Sequence, residues 1–196
     1  MMAAPISLLL ATRNRGKLGE LQQLLDGLPV RLLTADDVGL SHLDVAETGD
    51  TLLENASLKA AAYGAASGLP TIADDTGLFV DALNGRPGVR TARFGGPLKL
   101  LDALRDIPAP RRAHFACVIA LRLPDGSQQH VTGTCPGQIM FDMRGAGGFG
   151  YDPVFQPDGY DQTFAELGEA IKNPISHRGL AVAALAPLLK SALGIG

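Results

Sequence analysis

Cysteine is scarce in this chain. Cys117 and Cys135 are the only two among 196 residues, and they form no Cys-x-x-Cys pair. That leaves no thiol pair at redox or zinc-site spacing. Cys117 lies in an apolar, strand-like run and reads as core, which fits a reducing cytoplasm. Positive charge is not in excess either: Lys+Arg number 17 against 20 Asp+Glu, for a net charge of −3. A general nucleic-acid surface, which needs a dense basic patch, is therefore not expected. An anionic ligand would have to meet locally clustered cations. Long hydrophobic runs are missing as well. Ile6 to Ala11 is apolar but far too short to span a membrane. Arg13 and Arg15 follow that run instead of preceding it, the wrong order for a signal peptide. Repeats and low-complexity linkers are absent. With 46% hydrophobic residues there is enough apolar material for a sizeable core. The expectation is one domain over residues 1–196, cytoplasmic, with neither membrane nor nucleic acid as a partner.

The periodicity predicts alternating strands and helices. Ile6 to Ala11 reads as a buried strand and Lys17 to Leu28 as a helix with Leu18, Leu21, Leu25 and Leu28 on one face. A short strand follows at Val30 to Leu33. Thr51 to Ser67 reads as a helix, opened by the capping-box spacing Thr51-Leu52-Leu53-Glu54 and closed by Gly68 and Pro70. Strands are expected at Thr71 to Ala73 and Leu78 to Leu83, on either side of Asp74-Asp75 and a Thr76-Gly77 turn. Further along come a helix at Leu98 to Arg105 and a strand at Ala113 to Leu123. The turn Pro124-Asp125-Gly126-Ser127 leads to a partner strand at Gln129 to Thr134. Another strand is expected at Gln138 to Phe141, and a final helix capped by Ser176. The order implies an α/β fold with a mixed sheet and helices on its faces.

Four segments carry candidate chemistry. The pair Asp74-Asp75 stands at the end of an apolar strand, where carboxylates are costly without partners, and a divalent cation would justify both. Thr12-Arg13-Asn14-Arg15-Gly16-Lys17 occupies a strand-to-helix turn. Free amides at a helix N-terminus bind phosphate, and three cations reinforce them. The Gly-x4-Gly-Lys spacing of the P-loop is not present. Gly145 to Pro153 contains a literal G-x-G-x-x-G, but Tyr151-Asp152-Pro153 follows where a dinucleotide fingerprint needs a helix. It reads instead as a glycine-rich loop offering Phe149 and Tyr151 to a base and Asp152 as an acceptor, with Gly150 between them. Lys172 and Ser176-His177-Arg178-Gly179 complete the set, because cations in the first turn of a helix oppose its dipole. A weaker group, Glu47, Glu54, Asn55 and Lys59, could line the same site. Asn55 and Lys59 share a helix face at i, i+4.

In combination these segments resemble the inosine triphosphate pyrophosphatase family, whose motif order they follow over nearly the whole chain. Thr48-Gly49, Glu54-Asn55-Ala56 through Lys59-Ala60, and Pro87-Gly88 through Ala92-Arg93-Phe94 match as well. The resemblance implies magnesium-dependent hydrolysis of inosine, deoxyinosine and xanthosine triphosphates to the monophosphate and pyrophosphate. It implies an elongated mixed sheet in two lobes with the active-site cleft between them, and a homodimer. Asp75 is implied as proton acceptor and Mg²⁺ ligand. Thr12, Arg13, Asn14, Arg15, Gly16, Lys17, Thr76, Phe149, Gly150, Tyr151, Asp152, Lys172, His177 and Arg178 are implied as nucleotide contacts. Two departures stand out. Ala46 occupies a position where relatives often carry the first of two glutamates, leaving Glu47. The chain is also several residues short between Gly96 and Leu98. Alternative readings are a pyrophosphatase for modified pyrimidine triphosphates and a nucleotide-binding regulator that does not hydrolyse.

Overall fold

The computed structural model describes residues 5–195. Strand β1 (Ile6–Leu10) is followed by α1 (Arg15–Leu24), β2 (Val30–Thr34), α2 (Leu52–Ser67) and β3 (Thr71–Val80). Next come β4 (Pro87–Gly88), α3 (Pro97–Ala103), β5 (Arg112–Arg122) and β6 (Gln128–Ile139). Strand β7 (Phe155–Pro157) and helices α4 (Phe164–Leu167), α5 (Glu169–Ile175) and α6 (His177–Leu193) complete the chain. The strands form a mixed sheet in the order β2-β1-β3-β5-β6-β7, with β4 on β3. The α/β expectation holds. Among the described residues no helix is long and apolar enough to cross a membrane.

Two compact units divide the chain: Met1–Asp75, Val118–Thr132 and Ala181–Gly196 in the first, Thr76–Cys117 and Gly133–Leu180 in the second. In the first, β1 pairs in parallel with both β2 and β3. Leu8, Leu9 and Leu10 are fully buried. That is the uninterrupted apolar run a parallel strand covered on both faces requires. The connection through α1 leads from β1 to β2 on one side, and the connection through α2 returns to β3 on the other. The carboxyl ends of β1 and β3 therefore meet at a topological switch point, where open α/β sheets bind their ligands. Helix α1 starts at Arg15, two residues before the expected Lys17, because Asn14 is its N-cap and accepts from Lys17 N. It ends at Leu24, short of Leu28, and Gly27 turns the chain at φ +84. The capping box of α2 forms as expected, with Glu54 N donating to Thr51 Oγ1 and Glu54 Oε2 accepting from Thr51 N.

Three expectations are corrected. Thr71–Val80 is one strand, not two strands around a turn. The Asp pair is tolerated inside it because lysines from the flanking helices meet both carboxylates. Gly77 extends the strand by permitting close approach of β4: a Cβ there would lie 2.7 Å from the Gly88 carbonyl oxygen. Residues Asp81–Leu83, expected to be strand, form a single 3-10 turn ended by Asn84 at φ 53. Likewise β6 runs through Pro136-Gly137 instead of breaking there. Pro136 takes part through its carbonyl, which accepts from Asp158 N at 3.0 Å, and Gly137 lets β7 approach.

The second unit has its own core, in which Leu78, Val80, Leu100, Leu104, Phe115, Val154, Phe155 and Phe164 are buried together. Phe115 is central, with its ring 4.7 Å from Phe155 and stacked on His177 at 4.6 Å. Both cysteines are buried, Cys117 as expected, and burial pushes the Cys135 thiol up to about 12. Helices α4 and α5 are too short for periodicity to have revealed them.

Candidate active site

The acidic pair organises the first unit. Asp74 and Asp75 follow the point where β1 stops shadowing β3, just after Ala11 N donates to Ile72 O. Successive strand residues face opposite ways. Asp74 turns to α1, where Lys17 Nζ lies 3.2 Å from its Oδ2. Asp75 turns to α2, where Lys59 Nζ is 3.3 Å from Oδ1 and Asn55 Nδ2 is 3.3 Å from Oδ2. Both aspartates are buried. Burial pushes the Asp75 carboxyl above its ordinary range against the pull of Lys59 and Lys17.

Lys59 links the carboxylates. Its Nζ donates to Glu47 Oε1 at 2.7 Å and to the Asp74 carbonyl at 2.7 Å, besides meeting Asp75. Burial works to lower the ammonium, and Asp75, Asp74 and Glu47 more than offset it, so it stays above its ordinary value. Asp75 and Glu47 thus converge on one positive charge, a hard-oxygen arrangement that suits a small divalent cation. Among the described residues no group of three or more His, Cys, Asp or Glu side chains is poised to hold a metal. Magnesium fits such a sparse set because it keeps several waters and takes one or two carboxylates plus phosphate oxygens.

The turn ahead of α1 is closed by its own side chains. Asn14 N donates to Thr12 Oγ1 at 3.3 Å and Lys17 N to Asn14 Oδ1 at 3.1 Å. Gly16 and Arg15 lie in the first turn of the helix, and Arg15 is exposed. Of the three cations only Lys17 is directed at the acidic pair. Arg13 pairs with Asp44 at the exposed surface. Thr76 is the next residue of β3 and falls in the second unit.

The second unit gathers the remaining residues. Lys172 and Asp152 form a buried ion pair at 2.6 Å. Asp152 Oδ2 also accepts from Phe149 N at 2.8 Å, which folds the glycine loop onto the carboxylate. Gly148 makes that fold possible: its φ is +69, and a Cβ there would lie 2.1 Å from Asp152 Oδ2. The Phe149 ring has Lys172 Nζ at 5.2 Å and Arg178 Cζ at 5.8 Å from its centroid, within cation–π range. Gly150 turns the loop at φ +63. Tyr151 is buried and donates its hydroxyl to Thr91 O at 3.1 Å, so it serves as an anchor within this unit. Ser176 caps α6 as expected, accepting from Gly179 N at 3.0 Å. Arg178 is one of the largest fully buried side chains, at 1% exposure.

Two clusters result: Lys17 with Asp74 and Asp75, and Phe149 with Asp152, Lys172 and Arg178, while His177 stacks on Phe115 in the core of the second unit. Of the weaker group read from sequence, Asn55 and Lys59 are immediate partners of Asp75, and Glu47 joins them through Lys59. Their signal was the i, i+4 spacing of Asn55 and Lys59 on one helix face.

The chain is similar to known proteins over most of its length. The Ham1 family profile matches residues 8–188. A dITP/XTP pyrophosphatase of Streptomyces coelicolor is 50% identical over 95% of this chain and 98% of its own length. Another, from Xanthomonas oryzae, is 46% identical over 91% and 94%. Among solved structures, a HAM1 protein from Coxiella burnetii superposes with a TM-score of 0.85 at 38% identity, covering 95% of this chain and 99% of its own. The order of motifs, the sheet and these matches agree: the chain belongs to the Ham1 family.

Proposed function

We propose that this chain hydrolyses non-standard purine nucleoside triphosphates (inosine, deoxyinosine and xanthosine triphosphates) to the monophosphate and pyrophosphate, cleansing the nucleotide pool. The observation that carries the reading is the buried Asp75 carboxylate at the switch point of the sheet, with Lys59 and Glu47 beside it. The relatives' name, dITP/XTP pyrophosphatase, supports the substrate class. Asp75 orients and deprotonates the water that attacks the α-phosphorus, and pyrophosphate leaves. A carboxyl raised by burial is a better base near neutral pH than an ordinary aspartate. Asp75, with Glu47 in place of the glutamate missing at Ala46, would hold Mg²⁺, which would supply charge neutralisation on the phosphates.

The turn from Thr12 to Lys17 offers amides and cations to the phosphates, and Lys17 and Lys59 neutralise charge developing there. Thr76 adds a hydroxyl contact. Phe149 stacks on the base, while Gly150, Tyr151 and Asp152 shape the loop around it. Lys172, His177 and Arg178 supply donors for the 6-keto oxygen. Such donors reject adenine, whose 6-amino group is itself a donor, because buried polar groups would go unpaired. The working form is a cytoplasmic homodimer of a single catalytic domain, acting on small molecules and not on nucleic acid. The test is product analysis with deoxyinosine, xanthosine and adenosine triphosphates in magnesium. Pyrophosphate from the first two but not the third is expected. Release of single phosphate, or equal rates on all three, overturns the reading.

A further inference from the structure

Asn55 lies one helical turn before Lys59 on α2 and is 2% exposed. Its carboxamide is divided between two segments. Oδ1 accepts from Gly49 N at 2.8 Å. Nδ2 faces Gly49 O at 3.4 Å and Asp75 Oδ2 at 3.3 Å. Chemistry dictates this orientation, since a backbone N–H needs an acceptor and a carboxylate needs a donor. Gly49 permits the approach: a Cβ there would lie 2.9 Å from Asn55 Oδ1 and 2.5 Å from Glu54 Cβ. The preceding helix position, Glu54, takes the N–H groups of Asp50 and Thr51, and Lys59 takes Glu47. The loop that carries Glu47 is therefore stitched to α2 on both sides of Gly49, and Asn55 is the stitch that also reaches Asp75.

We infer that Asn55 is a positioning residue: it holds the Asp75 carboxylate and the Glu47-bearing loop in one fixed relation, so that turnover depends on a side chain that touches no substrate. The inference rests on the proposed role of Asp75. Two substitutions separate its two hydrogen-bonding ends. Asn55→Asp keeps an acceptor for Gly49 N and the same shape, but turns an oxygen towards Asp75 Oδ2 where a donor stood. Asn55→Ala removes both ends.

The experiment measures steady-state pyrophosphate release from deoxyinosine triphosphate and hydrogen exchange at the Gly49 amide in the full chain. For Asn55→Asp, Gly49 exchange stays slow, kcat falls about a hundredfold and KM changes less than about threefold, the pattern of misplaced reacting groups. For Asn55→Ala, Gly49 loses protection and kcat falls at least as far. A merely structural residue would alter stability and leave kcat of the folded variant unchanged. Wild-type kcat in Asn55→Asp overturns the inference, as does unchanged Gly49 protection in Asn55→Ala. Should Asn55→Asp not fold, Asn55→Ala decides by the same two readouts. If the unaltered protein releases no pyrophosphate, the functional reading fails, and Gly49 exchange in Asn55→Ala alone decides the pinning: lost protection upholds it and kept protection overturns it.

Discussion

Asp74 and Asp75 are neighbours on one strand and face opposite helices, the first meeting Lys17 of α1 and the second Lys59 of α2. Adjacent buried carboxylates would repel and be driven neutral if they shared a face. The pleat of the strand separates them and gives each its own lysine. Asp74 has a fully buried side chain, whereas the Asp75 side chain keeps 10% of its surface. That difference leaves Asp75 the more accessible of the two, as its proposed role requires.

Asp75→Asn should retain nucleotide binding and lose about 10²–10⁴-fold in kcat, the usual contribution of a general base. A stability effect should accompany it, and its sign can be worked out. Burial raises the folded-state value above that of the unfolded chain. Asp75 therefore contributes stability at low pH, and that contribution is lost as pH rises through the raised folded value. Relative to the unaltered protein, Asp75→Asn should gain stability on raising the pH through the range just above ordinary carboxylates. Urea unfolding of both proteins across pH 4 to 8 checks this; a constant difference between the two curves would contradict it.

Much of this arrangement was legible because it is local. Thr51 and Ser176 cap helices within three residues of themselves, and both were readable from their own neighbours, whereas the equally local Asn14 cap starts α1 two residues before the expected Lys17. The continuity of β3 was not. Whether two aspartates end a strand or sit inside one depends on Lys17, 57 positions before Asp74, and on Lys59, 16 before Asp75. Turn chemistry favoured a break at Thr76-Gly77, and tertiary pairing overrode it. The same holds for Asp152, which sequence marked as an acceptor for a ligand while it pairs with Lys172. Helices α4 and α5 span only four and seven residues, too few for a periodic signal.

Lys172→Met should be strongly destabilising. Lys172 and Asp152 have side chains only 4% and 6% exposed, so removing the cation strands a buried carboxylate. Breaking a pair of this kind costs about 3–5 kcal/mol. Adding Asp152→Asn should recover most of the loss, because a neutral amide oxygen can still accept from Phe149 N. Urea midpoints of the two single variants and the double variant form the cycle. A double variant no more stable than Lys172→Met would show that the carboxylate was not the burden.

The Arg112–Asp158 pair supplies the contrast. It is bidentate, at 2.7 and 2.8 Å, yet both side chains are about half exposed, at 45% and 47%. Arg112 holds the Asp158 carboxyl below its ordinary value, so its contribution is present at neutral pH and lost as pH falls through that lowered value. Solvent screening limits the loss in Asp158→Asn to about 1 kcal/mol or less, and salt should shrink it further. Thermal unfolding in low and high salt measures both effects. A loss comparable to that of Lys172→Met would mean the pair is far less screened than its exposure indicates.

Gly148 and Gly150 both hold positive φ, at +69 and +63, and differ in what a side chain would meet. A Cβ at Gly148 would lie 2.1 Å from Asp152 Oδ2, whereas nothing lies within 4 Å of one at Gly150. Each alanine substitution carries the backbone strain of a left-handed residue, about 1–2 kcal/mol. Only Gly148→Ala must also push Asp152 away from Phe149 N and Lys172. If the Phe149 loop binds the base, Gly148→Ala should raise the nucleotide KM about tenfold more than Gly150→Ala, which matches one lost charge-assisted hydrogen bond. Steady-state kinetics on deoxyinosine triphosphate distinguishes the two. Equal KM values would mean that backbone strain, not the seat of Asp152, governs the loop, and that the Asp152–Phe149 contact has no part in holding the base.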